Sequence, residues 1–192
     1  MAEWGDFKVK PQEFKPLQTA RLDLKPLVAT FGFANELFDI ISKNKDFFKF
    51  MPWANIETPE QEFEFLTLAE KWWKSQITAN YGMYLRSDNS FVGLCAMMSI
   101  KWSDETGEVG YWLNPKYARQ GYMSEAVNAI VQEFFNMGLK RVFLTADIEN
   151  TASCKTAEKC GFTREGVMRS ATFSKPMNRR QDMALYAKLN TK

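Results

Sequence analysis

The sequence contains no histidine, and this absence restricts the chemistry that the protein can perform. Without an imidazole there is no histidine general base, so Ser-His-Asp and Cys-His arrangements are excluded. Histidine-ligated metal sites are excluded for the same reason, and no metal is expected. Proton transfers must therefore use carboxylates, hydroxyl groups or water.

Cysteine is also scarce, and neither sign of charge dominates. Cys95, Cys154 and Cys160 form no Cys-x-x-Cys pair, which argues against a disulfide framework or a cysteine-only zinc site. Lys and Arg number 25 against 23 Asp and Glu, so the net charge of +2 gives no signal for nucleic-acid binding. No apolar run approaches the ~18 residues of a membrane helix, and no secretion signal is visible. A cytoplasmic protein with no membrane partner is expected.

The 192 residues, 45% of them hydrophobic, suit one compact domain. Residues 1–16 are predicted to be a loosely ordered leader, because prolines interrupt any regular pattern, and residues 17–192 are predicted to form the domain. Alternating or continuous apolar runs predict strands over residues 21–28, 81–86, 91–102, 108–113, 142–148, 162–168 and 182–189. Helical spacing predicts helices over residues 34–41, 58–73, 123–135 and 151–160. Several strands precede the alternating strand–helix segment, which indicates a mixed α/β fold with a mostly antiparallel sheet.

The segment over residues 111–126 carries the strongest local signal for chemistry. A strand ends, a short loop holds Arg119 and Gly121, and an amphipathic helix begins. The first turn of such a helix offers free N–H groups and suits a pyrophosphate, which Gly121 lets approach and Arg119 can pair with. An ordinary strand-to-helix turn explains the same residues equally well. The loop is neither a Walker A loop nor a dinucleotide fingerprint, because it has a single glycine.

Asn150 and Ser153 follow the next predicted strand and open another helix. They are either a helix N-cap and an ordinary first-turn residue, or polar groups beside a ligand in the gap between the two strands.

Several segments together resemble the GNAT N-acetyltransferases, and more narrowly the branch that acetylates ribosomal-protein N-termini (RimJ/RimL type). The segments that carry the resemblance are residues 19–27, 51–53, 108–113, 120–126, 150–153 and 158–166. The resemblance covers about residues 18–189. It implies a single-domain GNAT fold in which a mostly antiparallel mixed sheet splays at the acetyl-CoA site and is flanked by helices.

The resemblance also implies acetyl-CoA as donor and suggests how this chain would bind it. The pyrophosphate would lie on backbone N–H groups of residues 119–124, the pantetheine arm along the splayed strand, and an asparagine side chain on the pantetheine amide. The residues in these roles are Trp112, Leu113, Arg119, Gln120, Gly121, Tyr122, Met123, Ser124 and Asn150. The chain departs from the general family pattern at Ala118 and Met123, where Gln or Arg and Gly or Ala are usual. Ala157 stands where many members have a tyrosine acid, so Ser153 is the remaining candidate for that role.

The implied reaction is direct attack of an amine on the thioester carbonyl. A backbone N–H near Leu113 would stabilise the oxyanion, and Ser153 would donate to the departing thiolate. About a quarter of a free α-amine is neutral at pH 7.4, against about one in a thousand lysine side chains, so an α-amine needs less help from a base. Glu108, acting through water, is the candidate base, although an exposed strand carboxylate or an ion-pair partner would also occupy that position. Trp53 either lines the acceptor side or anchors a loop to the core.

Other functions are compatible with the same sequence. The acceptor could be a small amine such as a polyamine, an amino sugar or an antibiotic, in which case an acidic cleft is expected. The candidate acids near Trp53 are Glu57, Glu60, Glu62 and Glu64, which also suit the first turns of a helix. A non-catalytic CoA-binding sensor is a third hypothesis. Relatives often dimerise, so a homodimer is one expected state that the sequence does not decide, and no direct nucleic-acid binding is expected.

Overall fold

The computed structural model describes residues 13–191. Its strands are β1 (Leu17–Gln18), β2 (Leu22–Pro26), β3 (Ala79–Leu85), β4 (Phe91–Lys101), β5 (Thr106–Leu113), β6 (Arg141–Asp147), β7 (Thr163–Ser174) and β8 (Arg179–Leu189). Its α-helices are α1 (Phe31–Ser42), α2 (Lys45–Phe48), α3 (Pro59–Lys74), α4 (Tyr122–Asn136) and α5 (Thr151–Lys159). Short 3₁₀ turns cover Trp102–Asp104 and Pro115–Tyr117.

Within the described residues all eight strands form one sheet, in the order β1-β2-β3-β4-β5-β6-β8-β7. Neighbouring strands are antiparallel except β5 and β6, which are parallel. The predicted mixed α/β fold with a mostly antiparallel sheet is therefore confirmed. The parallel pair is the one that needs a crossover, and α4 supplies it.

Two apolar clusters cover the two faces of the sheet. Cys95 and Met97 of β4 face the cluster that contains α4 and α5. Leu94 and Ala96 face the cluster that contains α1, α2 and α3. This alternation follows the two-residue repeat of a strand, so a strand with helices on both faces reads as a continuous apolar run.

Local sequence signals explain where the helices begin and which face they bury. Helix α3 begins with Pro59 at its first position, and Gln61 Oε1 accepts a hydrogen bond from the Thr58 N–H (3.4 Å), as in a capping box. Helix α4 buries one apolar stripe at helical spacing, which consists of Met123, Ala126, Val127, Ile130, Val131, Phe134 and Phe135.

The structure extends the C-terminal hairpin beyond its predicted bounds. Strand β7 continues to Ser174 instead of ending at residue 168, and β8 begins at Arg179 instead of residue 182. Most of the extension is exposed or half-buried, and its fully buried residues, Ser174 and Gln181, are polar, so it shows no apolar alternation. Polar contacts hold it instead: Asp182 Oδ1 accepts from the Ser170 N–H (2.7 Å), and Arg180 Nε donates to the Ser170 carbonyl (3.0 Å). The two-residue β1 and four-residue α2 were also missed, because both are too short to show a period.

Residues 1–12 of the predicted leader lie outside the described residues. Phe14 is buried (3% exposed), and its ring centroid lies 5.7 Å from that of Trp73 and 5.6 Å from that of Phe134. Its N–H donates to Gln76 Oε1 (2.8 Å). The chain is therefore packed on the core by residue 14.

None of the helices within residues 13–191 combines the length and the apolar character needed to cross a membrane. Cys95, Cys154 and Cys160 are all free thiols.

Candidate active site

The sheet opens between its two central parallel strands. β5 and β6 pair only from Thr106 opposite Arg141 to Glu108 opposite Phe143. Beyond Glu108 the two strands no longer pair with each other, although β5 continues to Leu113 and β6 to Asp147. A cavity of about 630 Å³ occupies the gap, and the N-terminal turns of α4 and α5 both line it.

The opening leaves backbone groups of β5 without a strand partner. The Asn114 N–H donates to the Val92 carbonyl on the β4 side (2.8 Å), whereas the Glu105 carbonyl accepts from the Arg141 N–H on the β6 side (3.1 Å). Backbone groups alternate between the two edges of a strand, so the N–H of Leu113 faces the gap. This donor lies where the sequence predicts an oxyanion-stabilising group.

The N-terminus of α4 presents further free donors. The Glu125 N–H makes the first helical bond, to the Gly121 carbonyl (3.1 Å), so the N–H groups of Tyr122, Met123 and Ser124 have no helical partner. Gly121 has φ +82°, a left-handed conformation that glycine adopts without strain. The resulting turn and the dipole of a four-turn helix suit a pyrophosphate.

Of the cations around this turn, three line the cavity, and the sequence pattern identified only Arg119 among them. Lys155 and Lys159 of α5 also line the cavity. The Lys159 Nζ lies 4.0 Å from where a Cβ on Gly121 would stand. Within residues 13–191, none of the three cations forms an ion pair. The four-residue spacing of the lysines on a predicted helix could have identified them.

Asn150 and Ser153 meet at the start of α5, on the β6 side of the gap. Asn150 Oδ1 accepts from the Ser153 N–H (3.2 Å), so Asn150 is a helix N-cap and also lines the cavity. The side-chain nitrogen of Asn150, Nδ2, makes no hydrogen bond to residues 13–191 and can donate to a ligand.

Tyr111 is a site residue that the sequence analysis missed. Its hydroxyl lies 3.2 Å from Ser153 Oγ and donates to the Ser153 carbonyl (3.2 Å) across the gap. Burial strongly raises the pKa of the Tyr111 phenol, so the phenol stays protonated. Ala157 is fully buried in the core. The hydroxyl that contacts Ser153 therefore comes from β5, although nothing in the sequence pattern distinguished this tyrosine from an ordinary strand residue.

Glu108 is the last residue of β5 that pairs with β6, and it does not line the cavity. Its carboxylate accepts from Ser99 Oγ (3.3 Å) and Thr145 Oγ1 (3.4 Å). Burial raises the pKa of Glu108, and the two hydroxyl groups partly oppose this effect. Residues 108 and 112 share one face of the strand, so Glu108 lies on the same face as Trp112, roughly 13 Å along the strand.

The far end of the cavity is lined by α2 and the segment that follows it: Asp46, Phe47, Phe50 and Met51. The C-terminal hairpin fixes this segment. Ser174 Oγ donates to the Lys49 carbonyl (3.2 Å), and the buried Gln181 donates to the Phe50 carbonyl (3.3 Å).

Trp53 is 47% exposed and stands outside the cavity. Its ring centroid lies 6.2 Å from that of Trp112, which is buried and does line the cavity. Trp53 can reach a ligand only from the rim.

The structure brings most of the predicted site residues together around one cavity. Those that line it are Trp112, Leu113, Arg119, Gly121, Tyr122, Met123, Ser124, Asn150 and Ser153. Gln120, Glu108 and Trp53 do not line it. No group of three potential metal ligands occurs among residues 13–191.

Comparison with known proteins identifies the same architecture. The sequence profile of the acetyltransferase (GNAT) domain matches residues 21–163. The uncharacterized N-acetyltransferase YoaA of Bacillus subtilis (strain 168) is 26% identical over 157 residues, covering 81% of this chain and 87% of YoaA. The ribosomal-protein-serine acetyltransferase of Escherichia coli (strain K12) is 25% identical over 155 residues, covering 80% and 85%.

Solved structures show the same fold. The microcin C7 self-immunity acetyltransferase MccE, in complex with acetyl-CoA and AMP, superimposes with a TM-score of 0.80 at 24% identity, covering 90% of this chain and 94% of MccE. RimL, a ribosomal alpha-N-protein acetyltransferase in complex with coenzyme A, gives a TM-score of 0.81 at 21% identity, covering 91% and 98%.

Proposed function

This chain belongs to the GNAT acetyltransferase family, and we propose on that premise that it moves the acetyl group of acetyl-CoA to the α-amine of a protein N-terminus. Family membership makes it an acetyl-CoA-dependent acyltransferase. The choice of a protein N-terminus, of the ribosomal-protein type, is the proposal. It is supported by the similarity to a ribosomal-protein-serine acetyltransferase.

The residues around the cavity fit acetyl-CoA. The free N–H groups at the start of α4 suit its pyrophosphate, and the unpaired Arg119, Lys155 and Lys159 suit its phosphates. The pantetheine arm would follow Trp112 and Leu113, where the unpaired edge of β5 offers backbone partners. The free amide of Asn150 would donate to a pantetheine carbonyl.

The observation that carries the proposal is that one continuous cavity joins this donor site to the wall formed by α2. A donor thioester beside Leu113 would lie between the two ends, so an amine entering over Asp46 and Phe47 could attack it directly. The Leu113 N–H would stabilise the oxyanion that forms. No covalent enzyme intermediate is needed, which agrees with the absence of histidine.

Proton transfer is the part of the reaction that needs side chains. Ser153 would donate a hydrogen bond to the departing thiolate while the Tyr111 phenol, 3.2 Å away, keeps its own proton and holds the serine hydroxyl in place; solvent then protonates the released thiolate. Glu108 would remove the amine proton through water, and its raised pKa makes it a stronger base than an ordinary glutamate. An α-amine is partly neutral at physiological pH, so this distant carboxylate would suffice.

The acidic groups do not favour a polycationic small amine. The acids that line the cavity are Asp46 and Glu149, and Glu149 is paired with Arg179 (2.8 Å). Of the four glutamates near Trp53, none lines it. A small monoamine and a silent CoA-binding sensor remain as alternative outcomes of the experiment below.

A cytoplasmic location, a homodimer and the absence of nucleic-acid binding also remain proposals, as does the domain boundary at residue 17, although Phe14 already packs on the core. Two of the basic residues near the C-terminus already have protein partners: Arg179 pairs with Asp147 (3.0 Å), and Arg180 bonds Ser170. This engagement leaves less free positive charge for a polyanion.

The test is release of free CoA by the full chain, measured with acetyl-CoA against N-terminal peptides, polyamines and amino sugars. The proposal predicts the highest kcat/KM with peptides that carry a free α-amine. The matched control is the same peptides with the α-amine blocked, which should not react. Faster turnover of a polyamine or amino sugar would identify a small-amine enzyme, and tight CoA binding without turnover would identify a sensor.

A further inference from the structure

The turn between β1 and β2 contacts the donor-binding loop and the first turn of α4, and Arg21 makes most of these contacts. Arg21 Nε donates to Glu125 Oε2 (2.7 Å), and Arg21 Nη1 donates to the Gln120 carbonyl (3.0 Å). The guanidinium carbon lies 4.3 Å from the centroid of the Tyr122 ring. Arg21 thus contacts three residues of the segment that opens α4.

Glu125 completes the connection from the helix side. Its Oε1 accepts from Thr19 Oγ1 (2.6 Å) and from the Arg21 N–H (2.9 Å), while its Oε2 accepts from the guanidinium. The Glu125 side chain is only 19% exposed, against 46% for Arg21. A carboxylate with several donors in a half-buried place is held firmly, so the β1–β2 turn and the first turn of α4 form one unit.

The loop needs such support because its backbone is unusual. Arg119 has φ +62° and Gly121 has φ +82°, so two left-handed residues flank Gln120. A non-glycine residue in that conformation persists only where surrounding contacts hold it. The bond from Arg21 to the Gln120 carbonyl also fixes the peptide plane between Gln120 and Gly121. Since C=O and N–H point in opposite directions across a trans peptide, the Gly121 N–H is directed away from Arg21.

We propose that Arg21 is a positioning residue for the donor site, which orders the backbone N–H groups of residues 121–124 through Gln120 and Glu125. Its charge is matched by Glu125, so its role is to set the shape of the loop and not to attract phosphate. The inference rests on acetyl-CoA being the donor and adds a determinant that lies outside the cavity-lining residues.

The first test is CoA affinity, measured by calorimetry on the full-length Arg21→Met variant. The Kd for CoA should rise about five- to tenfold, because the N–H groups are no longer held in place. In the same variant, kcat/KM for S-acetyl-N-acetylcysteamine, a donor without pyrophosphate, should stay within twofold of wild type. If Arg21 only stabilised the fold, the affinity for CoA and the kcat/KM for the pyrophosphate-free donor would both fall.

Glu125→Gln separates positioning from direct attraction. If the Arg21 charge acted on the phosphates, removal of its carboxylate partner would tighten CoA binding. The proposal predicts weaker binding, because the loop loses an anchor while Arg21 remains. The double variant should bind CoA about as weakly as either single variant, since both remove the same connection.

The matched control is Arg141→Met, which breaks the Arg141–Glu165 pair at the opposite end of β6. It should lower Tm as much as Arg21→Met does and leave the Kd for CoA unchanged. Should Arg21→Met fold poorly, Arg21→Lys, which keeps the charge without the guanidinium fork, gives the same reading with an intermediate rise in Kd.

Three results would overturn the proposal: an unchanged Kd for CoA in Arg21→Met, tighter binding in Glu125→Gln, or an equal loss with the pyrophosphate-free donor. Wild-type binding is measured first. If wild type fails to bind CoA, the donor assignment fails, whereas wild-type binding with unaffected variants refutes only the role of Arg21.

Discussion

At the scale of single residues, the proposed mechanism uses hydroxyl groups and a carboxylate, because the sequence has no imidazole. Ser153 is held from two sides, by its backbone bond to Asn150 and by the Tyr111 phenol. The phenol keeps its proton because burial raises its pKa, so it can orient the serine hydroxyl toward a developing thiolate. A thiolate leaves readily, with a reference thiol pKa of ~8.5, so this assistance is expected to be modest.

Replacing Ser153 with alanine should lower kcat about ten- to a hundredfold, at the low end of general-acid effects, while CoA affinity changes less than about twofold. Tyr111→Phe, which keeps the ring and removes the hydroxyl, should lower kcat by a smaller factor. Steady-state kinetics and calorimetry measure the two quantities. Equal losses in kcat and CoA affinity would reassign Ser153 to donor binding.

Glu108→Gln tests the base through pH dependence. A base must be deprotonated to work, so wild-type kcat/KM should decline as the pH falls through the pKa of Glu108. Burial raises that pKa, which places the decline above the ordinary range of a glutamate. The glutamine variant should have a lower kcat/KM at neutral pH. Its kcat/KM should no longer decline through the pKa of Glu108 and should fall with pH only because the acceptor amine becomes protonated. An unaltered acidic decline in the variant would show that Glu108 is not the base.

At the scale of elements, the active site results from one interrupted ladder. β5 and β6 separate after three paired positions, and each leads into a helix whose first turn faces the gap. The left-handed Gly121 lets the chain enter α4 with its N–H groups exposed. The donor site is therefore built mainly from backbone groups of these strands and helices, and less from their side chains.

Gly121→Ala should weaken CoA binding about tenfold, because an alanine at φ +82° costs about 1 kcal/mol and shifts the loop. Space is not the obstacle, since an added Cβ would have no neighbour closer than 3.5 Å. Gly138→Ala is the matched control: its φ is +112° and nothing lies within 4 Å, but it follows the other end of α4. Both variants should lower Tm, Gly138→Ala at least as much because its φ lies farther from the left-handed region, and CoA affinity should fall only for Gly121→Ala. A comparable loss of CoA affinity in Gly138→Ala would contradict the local explanation.

The elements that could be predicted from the sequence are those with a clear hydrophobic period or with a proline or glycine at their boundary. The α4 stripe, the Pro59 start of α3 and the Gly121 turn all follow from local rules. Contacts between distant segments could not be predicted. The Tyr111 hydroxyl, the α2 wall and Arg21 beside Gln120 depend on which strands lie next to each other, and a local pattern does not contain that information.

At the scale of the whole molecule, the sheet divides two cores, and one of them contains a buried acid. The sequence placed Glu62 either in an acidic cleft near Trp53 or on a solvated helix turn, but the residue is 3% exposed and its Oε1 has no partner among residues 13–191. Loss of solvation raises the pKa of Glu62 to about 7. A buried, unpaired carboxyl destabilises the fold whenever it is charged.

Stability should therefore depend on pH through Glu62. The folded protein holds this proton up to about pH 7, whereas the unfolded chain releases it near 4.3, so the free energy of unfolding should fall between those values. The full effect is at most about 4 kcal/mol. Glu62→Gln should remove most of this decline, so that its stability at pH 8 approaches or exceeds that of wild type. Denaturant unfolding at pH 5 and pH 8 measures the difference, and parallel pH dependence in the two proteins would contradict the prediction.

The central claim, acetyl transfer to a protein α-amine, is tested most directly within one acceptor molecule. A peptide with one free N-terminal amine and one internal lysine is incubated with acetyl-CoA and the full chain, and the modified nitrogen is located by mass spectrometry. The account predicts acetylation of the α-nitrogen and an unmodified lysine, because the cavity provides no strong base for an ammonium of pKa ~10.4. Acetylation of the lysine, or an inert peptide beside a rapidly acetylated small amine, would contradict it.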